Sequence, residues 1–152
     1  MRAGQLCNRS VITATADMSI LEAAQLMREN HVGSLVVIKD RDGHAEPVGI
    51  ITDRDIVIEL IAKAVPLNDV TVGDIMSFAL LKVMEDETVF DTAQRMRSRG
   101  VRRVPVVSKT GELAGILALD DILSLLGEEL SMLCKLTQRE TEQEIKKRAL
   151  PT

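Results

Sequence analysis

The segment Val48–Asp55, which reads VGIITDRD, decides the fold because its pattern returns 66 positions later in Ala114–Asp121, which reads AGILALDD. Each segment has a glycine followed by two large aliphatic residues, and each ends on an aspartate. The aliphatic part is typical of a buried strand, and the acidic part is typical of the first turn of a helix. We therefore expect two strand-to-helix junctions of the same kind in one chain.

The recurrence extends well beyond these two segments. At a shift of 69 positions, Gly4–Cys7 falls on Gly73–Met76 and Ala24–Arg28 falls on Ala93–Arg97. The shift changes to 66 after residue 38, because the second copy lacks three residues there. Ordered matches along a whole copy are the signature of a tandem duplication.

Each copy predicts the same order of elements, β-α-β-β-α. A short apolar segment leads to a hydroxyl N-cap candidate, Ser19 or Thr88, and then to apolar residues at helical spacing. Two β-rich runs joined by a turn follow, and a second helix ends the copy. We predict an α/β (α+β) fold in which two such repeats, 1–66 and 67–126, pack through their sheets with pseudo-twofold symmetry. A C-terminal helical tail over 127–152 follows, because a narrow apolar stripe there lies among dense charge.

The composition argues against several classes of protein. Of the 152 residues, 45% are hydrophobic and 28% are charged, as in ordinary globular domains. A net charge of −4 disfavours electrostatic binding to nucleic acid or to an acidic membrane. No apolar run is long enough for a membrane helix. Cys7 and Cys134 lack metal-ligand spacing, and His31 and His44 lack the partners of a catalytic triad. We expect a cytoplasmic, non-catalytic protein that needs no metal.

These motifs together give the chain a specific resemblance. Over roughly residues 3–125 it resembles a tandem pair of cystathionine-β-synthase (CBS) domains, a Bateman module. The most specific pieces are Val48–Asp55 and Gly100–Val107, which reads GVRRVPVV. The resemblance implies two repeats packed through their sheets, clefts between them that bind adenosine-containing ligands, and dimerisation into a disc-like assembly. Because the chain shows no fused catalytic domain, we expect any regulated enzyme or transporter to be a separate chain.

The first candidate site is the strand-to-helix junction at Thr52. The start of a helix offers unpaired N–H groups that suit a phosphate, to which the Thr52 hydroxyl and the Arg54 guanidinium could add. Asp55, one turn into the helix, could accept hydrogen bonds from both ribose hydroxyls. A capping box, which only stabilises the start of the helix, needs the same two residues, Thr52 and Asp55. The resemblance favours the ligand-binding interpretation.

The strand-to-helix junction of the second copy keeps the aspartate but has no hydroxyl residue in front of it. Asp121 stands at the position of the ribose-binding aspartate, but Ala118 stands where the first copy has Thr52. Alanine has no donor for a phosphate oxygen, and it cannot form the side-chain half of a cap. The sequence therefore predicts two unequal clefts, of which the cleft with Thr52 fills first.

A pair of arginines is the other candidate source of positive charge. Arg102 and Arg103 lie at the start of a strand, and a solvated surface pair is the alternative interpretation. We expect at least one of them to meet a phosphate, because a guanidinium stays charged and engages pairs of oxygens. At the equivalent place in the first copy, Ser34 would offer one hydroxyl contact. Ile12 and Thr13 complete the candidate site, with Ile12 against the adenine.

The sequence thus predicts a non-catalytic regulatory module that binds an adenine nucleotide, namely AMP, ADP, ATP or NAD, between its two repeats. Threonine, aspartate and arginine recognise the ribose and phosphate that all four ligands share. Two alternatives stay open: a purely structural dimerisation module with empty clefts, and a fragment of an enzyme whose catalytic part is encoded elsewhere. The expected partners are a second copy of the chain, the small-molecule ligand and a separate regulated protein.

Overall fold

Two three-stranded sheets, one for each repeat, organise the computed structural model, which describes residues 1–149. In each sheet the first strand pairs parallel with the second, and the second pairs antiparallel with the third. The strands are β1 (Thr13–Ala14), β2 (Ser34–Arg41) and β3 (His44–Thr52) in the first repeat, and β4 (Val83–Met84), β5 (Arg103–Val107) and β6 (Leu113–Ala118) in the second. The longer β2–β3 hairpin contains the three residues that the second copy lacks.

The helices follow the predicted order in both repeats, with two short helices added. These two, α1 and α4, precede the first strand of each repeat and were not predicted from the sequence. The helices are α1 (Ala3–Leu6), α2 (Ile20–Asn30), α3 (Asp53–Asp55), which continues as a π-helical stretch (Ile56–Ile61), α4 (Val72–Ile75), α5 (Val89–Arg99) and α6 (Leu119–Arg148); a single 3-10 turn spans Leu67–Asp69.

Local sequence sets the starts of α2 and α5 and the end of α5 as predicted. The hydroxyls of Ser19 and Thr88 each accept a hydrogen bond at 3.1 Å from the backbone N–H three residues further on. Gly100 ends α5 in the left-handed region with φ 65°, and His31 ends α2 in the same way with φ 54°. The two central helices therefore begin and end alike, which places their buried faces on equivalent parts of the two sheets.

Each repeat has its own apolar core between its sheet and its helices. In the first repeat, Leu35, Val37 and Ile51 lie on one face of the sheet and are fully buried with Ile20 of α2. The second repeat builds its core from the equivalent positions, which are Val104, Val106, Leu117 and Val89. Because β3 and β6 contact each other, the two repeats meet along their third strands.

The segments that lead into the two repeats are exchanged between them. The backbone N–H of Ala3 donates to the carbonyl of Glu87 at 2.8 Å, so α1 packs on the second repeat. At the equivalent place, the N–H of Val72 donates to the carbonyl of Met18 at 2.9 Å, so α4 packs on the first repeat. Ala3 and Val72 are fully buried in the cores that they join. Each core therefore contains residues from both copies of the duplicated sequence.

The repeated glycine of the VGIITDRD and AGILALDD segments is required by this exchange. A Cβ atom at Gly49 would lie 2.6 Å from Sδ of Met76, which follows α4. A Cβ atom at Gly115 would lie 2.5 Å from Sγ of Cys7 and 2.8 Å from the carbonyl oxygen of Asn8, both of which follow α1. A Cβ atom does not approach a non-bonded atom this closely, so a larger residue at either position would push the exchanged segment away from its strand.

The two cysteines are free thiols in different environments. Cys7 is buried in the core of the second repeat, and Cys134 is exposed on α6. Burial raises the pKa of the Cys7 thiol above its ordinary value, although the positive charge of Arg9 partly opposes this shift. A raised pKa keeps the thiol protonated and unreactive, so Cys7 acts as a small apolar side chain.

The last helix differs from the sequence prediction. The pattern separates the closing helix of the second repeat from the tail over 127–152, whereas α6 runs without a break from Leu119 to Arg148. Gly127 stays inside the helix because strong helix formers flank it, whereas Pro66 follows the equivalent helix of the first repeat and prevents its extension. The last three residues of the predicted tail, 150–152, lie outside the described residues. None of the helices described here has the length and apolar content needed to cross a membrane.

Candidate functional site

A cleft of about 600 Å³ lies between the two repeats, within the usual range for small-molecule sites. Its walls come from the end of β3 and the start of α3 in the first repeat, and from the two ends of the β5–β6 hairpin in the second. Five of the nine predicted site residues line this cleft, and they are Thr52, Arg54, Asp55, Arg102 and Arg103.

Strand register explains why these side chains meet. Ser34 is paired with Thr52 across β2 and β3, and Arg103 is paired with Ala118 across β5 and β6. In both hairpins the last residue of the third strand is also the N-cap of the next helix. The two strand-to-helix junctions therefore point into the space between the repeats, and the start of β5 lies beside them.

Thr52 and Asp55 form the capping box that the sequence allowed. The N–H of Asp55 donates to Oγ1 of Thr52 at 3.1 Å, and the N–H of Thr52 donates to Oδ2 of Asp55 at 2.9 Å. Both residues are half-buried. Within residues 1–149, Oδ1 of Asp55 and the hydroxyl hydrogen of Thr52 have no partner. The cap therefore uses only part of each side chain and leaves an acceptor and a donor for a ligand.

The second junction forms half of the same cap. The N–H of Ala118 donates to Oδ2 of Asp121 at 2.8 Å, but alanine offers no side-chain acceptor in return. Ala118 lines the cleft, and Asp121 does not. The carboxylate of Asp121 therefore holds the start of α6, and its predicted role at a ribose stays a prediction.

Three arginines from two repeats line the cleft. Arg54 extends from α3, whereas Arg102 and Arg103 come from the start of β5. All three are exposed, and none forms an ion pair with any residue in the range 1–149. The carboxylates of Asp53 and Asp120 also line the cleft, but Asp53 accepts a hydrogen bond from the N–H of Arg54 at 2.8 Å. The arginines thus remain available for an anion.

Four predicted site residues do not line this cleft, and they are Ile12, Thr13, Ser34 and Asp121. Ile12 and Ser34 are the first-repeat counterparts of Leu81 and Arg103, which do line it. Equivalent positions therefore do not contribute equally to this cleft, although the counterparts Thr52 and Ala118 both line it. Roles for these four residues at a ligand remain predictions.

The sequence argument missed one wall of the cleft. Ser77, Ala79, Leu80 and Leu81 lie between α4 and β4 and line the space. The N–H of Ser77 donates to the carbonyl of Ile50 at 2.9 Å, which ties this segment to β3 of the other repeat. Leu81 could have been proposed from the sequence, because it is the counterpart of the candidate Ile12. Because the segments are exchanged, however, the sequence did not show which strand-to-helix junction Leu81 faces.

Comparisons with known proteins bear on both repeats. The family described as "CBS domain" matches residues 3–62 and 72–128. An uncharacterised protein of Methanopyrus kandleri is 38% identical over 122 residues, which cover 80% of this chain and 61% of the relative. The chain thus spans about three fifths of that relative's length. Hypoxic response protein 1 of Mycobacterium tuberculosis is 35% identical over 128 residues, which cover 84% of this chain and 82% of that protein.

Solved structures share the fold over most of the chain. A CBS domain pair crystallised with 5′-methylthioadenosine and S-adenosyl-L-methionine has a TM-score of 0.71 and 30% identity, covering 85% of this chain and 98% of that one. Hypoxic Response Protein I, with two coordinated zinc ions, has a TM-score of 0.70 and 31% identity, covering 82% and 98%. Two matched repeats, two equivalent sheets and these structures lead to one conclusion: the chain belongs to the CBS-domain family, as a tandem pair of CBS domains.

Proposed function

We propose that the chain is a regulatory module that binds an adenosine-containing nucleotide in the cleft between its repeats. The observation that carries this proposal is that Arg54, Arg102 and Arg103, all without ion-pair partners in residues 1–149, line one cleft. Because these arginines come from both repeats, a phosphate bound among them is held by both. Binding can then change how the repeats sit on each other.

The lining residues suit the three parts of such a ligand. Oδ1 of Asp55 is free to accept hydrogen bonds from ribose hydroxyls, and the hydroxyl of Thr52 can donate to a phosphate oxygen. Leu80 and Val101 provide apolar walls for the adenine ring. With no aromatic side chain among the lining residues, we expect the ring to pack between aliphatic side chains.

The arginines of the cleft favour phosphorylated ligands, because a guanidinium donates paired hydrogen bonds to phosphate oxygens. The related CBS pair crystallised with 5′-methylthioadenosine and S-adenosyl-L-methionine supports an adenosine ligand for this chain. Asp53, Asp55 and Asp120 line the same cleft and balance the charge of the three arginines, so the preference rests on these hydrogen bonds and not on net charge. We therefore propose AMP, ADP, ATP or NAD as the ligand class.

A regulatory role fits the cleft better than a catalytic one. Among the described residues that line it there is no histidine and no cysteine to act as base or nucleophile. We propose that metal is not needed, since over residues 1–149 no three His, Cys, Asp or Glu side chains lie close enough together to hold an ion. The repeats 1–66 and 67–126 form the binding unit, a cytoplasmic setting is proposed, and a separate enzyme or transporter is the regulated partner.

Titration calorimetry tests the proposal. Protein freed of carried-over ligand is titrated with AMP, ADP, ATP, NAD and S-adenosylmethionine. We expect Arg102→Ala and Arg103→Ala to weaken binding of the phosphorylated ligands by about tenfold or more, the scale of a lost charged hydrogen bond. Arg139→Ala, on the exposed part of α6, is the matched control and should bind like the wild type.

Two results would count against the proposal. If none of the five ligands binds to the folded protein, the clefts serve no nucleotide, and the alternative of a purely structural dimerisation module is favoured. If a ligand binds equally well to the wild type and to both cleft variants, the site lies elsewhere on the molecule.

A further inference from the structure

An apolar groove of about 450 Å³ lies between α5 and α6 of the second repeat. The aliphatic residues that line it are Val89, Ala93, Ile122, Leu125 and Leu126. Leu126 is 54% exposed, whereas its counterpart 66 positions earlier, Leu60, is only 1% exposed. The first repeat therefore has a cover at the place where the second repeat is open.

The cover in the first repeat is the segment Val65–Val70, which reads VPLNDV. Ala64 lies in the left-handed region with φ 54°, and it turns the chain back at the end of the closing helix. The N–H of Val65 donates to the carbonyl of Leu60 at 2.9 Å, and Val65 and Val70 both pack against the core that contains Leu60. The 3-10 turn within the segment contacts α2. The segment thus lies across the two helices whose counterparts, α5 and α6, form the groove.

The second repeat has no such cover among residues 1–149. Met132 stands where the first repeat has Pro66, so α6 continues to Arg148 instead of turning back over the groove. The aliphatic floor is nevertheless kept, because Val89, Ala93 and Leu126 are the counterparts of Ile20, Ala24 and Leu60. The second repeat therefore keeps a surface that receives a peptide segment in the first repeat, but it lacks the segment.

One charged residue at the rim distinguishes the open groove from the covered one. Glu129 lines the groove, and its counterpart in the first repeat is Lys63. Lys63 forms an ion pair with Glu59 one turn earlier, whereas the counterpart of Glu59 is the apolar Leu125. Glu129 forms no ion pair with any residue in the range 1–149. This end of the groove therefore favours an occupant with a positive charge.

We propose that the groove binds a short extended segment of a partner protein, in which a basic residue precedes an aliphatic residue and a proline. The aliphatic side chain covers Leu126, as Val65 covers Leu60 in the first repeat. The proline keeps the segment extended, because it fixes its own φ and restricts the residue before it. The basic residue pairs with Glu129. This surface lies outside the nucleotide cleft, and binding there does not depend on a nucleotide.

Synthetic peptides and the full-length protein test the proposal. Fluorescence anisotropy measures the affinity of a labelled peptide KVPLNDV, which has the sequence of residues 64–70 with lysine in the first place. We expect Leu126→Asp to weaken binding by about tenfold or more, because the peptide would then have to cover a carboxylate. Leu133→Asp is the matched control, since Leu133 is 55% exposed on the same helix and does not line the groove. This variant should bind like the wild type.

Charge reversal tests which end of the peptide lies at Glu129. The wild type should prefer KVPLNDV to EVPLNDV by several-fold, and Glu129→Lys should reverse this preference. No binding of either peptide to the folded protein at millimolar concentration overturns the proposal. A lower light-scattering mass of Leu126→Asp would in that case assign the groove to a contact between copies of this chain. Equal binding by the wild type and Leu126→Asp, or an unchanged preference in Glu129→Lys, overturns the proposal as well.

Discussion

Asp55 combines two roles in one carboxylate, since one oxygen caps α3 and the other is free. We expect Asp55→Ala to weaken AMP binding by about 1.5–3 kcal/mol, the scale of hydrogen bonds to a charged group. Asp55→Asn keeps an acceptor for the N–H of Thr52, so it should retain the stability of the wild type while it loses affinity. Calorimetry and thermal unfolding of both variants separate the two roles. AMP affinity unchanged in a folded Asp55→Ala protein would exclude Asp55 from the site.

Thr92 is a buried hydroxyl without a partner. The residue is fully buried in α5, and its Oγ1 makes no hydrogen bond to any described residue. Its counterpart in the first repeat is Ala23, which has no polar group to satisfy. We expect Thr92→Val to raise the free energy of unfolding by about 1 kcal/mol, because a methyl group replaces an unpaired hydroxyl of the same size. Urea unfolding measures this change, and a destabilised variant would indicate a hidden partner for the hydroxyl.

At the scale of elements, substitution of alanine for glycine is expected to change the free energy of unfolding in opposite directions at two positions. Gly115 in β6 lies against the exchanged segment, where an added Cβ would meet the backbone of Asn8 at 2.8 Å. Gly127 in α6 has open space around it. We expect Gly115→Ala to lower the free energy of unfolding by about 1–3 kcal/mol through overpacking. Gly127→Ala should raise it by about 0.5–1 kcal/mol, because alanine favours helix. Chemical denaturation of the two variants checks both signs.

The order of elements could be predicted from the sequence because caps, turns and aliphatic runs are local signals. Ser19, Thr88 and Gly100 act where the pattern placed them. The exchange of α1 and α4 could not be predicted, because a segment has the same local pattern whether it packs on its own repeat or on the other. For the same reason the sequence proposed Thr52 and Arg102 as site residues but gave no means of placing them in the one cleft that both line.

At the scale of the whole molecule, the two clefts of the pair are expected to differ. Arg102 and Arg103 line the cleft described above, whereas their counterparts Gly33 and Ser34 have no guanidinium to offer to a symmetry-related cleft. We therefore expect calorimetry to show one nucleotide site per chain, or two with separate affinities that differ by about tenfold or more. Two equal sites, weakened to the same degree by Thr52→Ala, would contradict this asymmetry.

The exposed apolar faces of the helices predict that two copies of the repeat pair associate. Leu21 and Phe90 are equivalent positions of α2 and α5, and Val57 and Leu123 are equivalent positions of the closing helices. All four are more than half exposed, which leaves an apolar surface on each repeat. We expect a homodimer, with a mass by light scattering of at least twice the 16.7 kDa of one chain. A mass of one chain at micromolar concentration would contradict this prediction.

The exchange of α1 and α4 also sets the order in which the two cores can be completed during synthesis. The first nine residues leave the ribosome before the core that they complete has been made, and they must wait for β4–β6 to appear. The first repeat in turn lacks Val72 and Met76 until the second has begun to emerge. Neither half of the duplication can therefore finish folding during its own synthesis. The two copies of the duplicated sequence therefore fold as one unit.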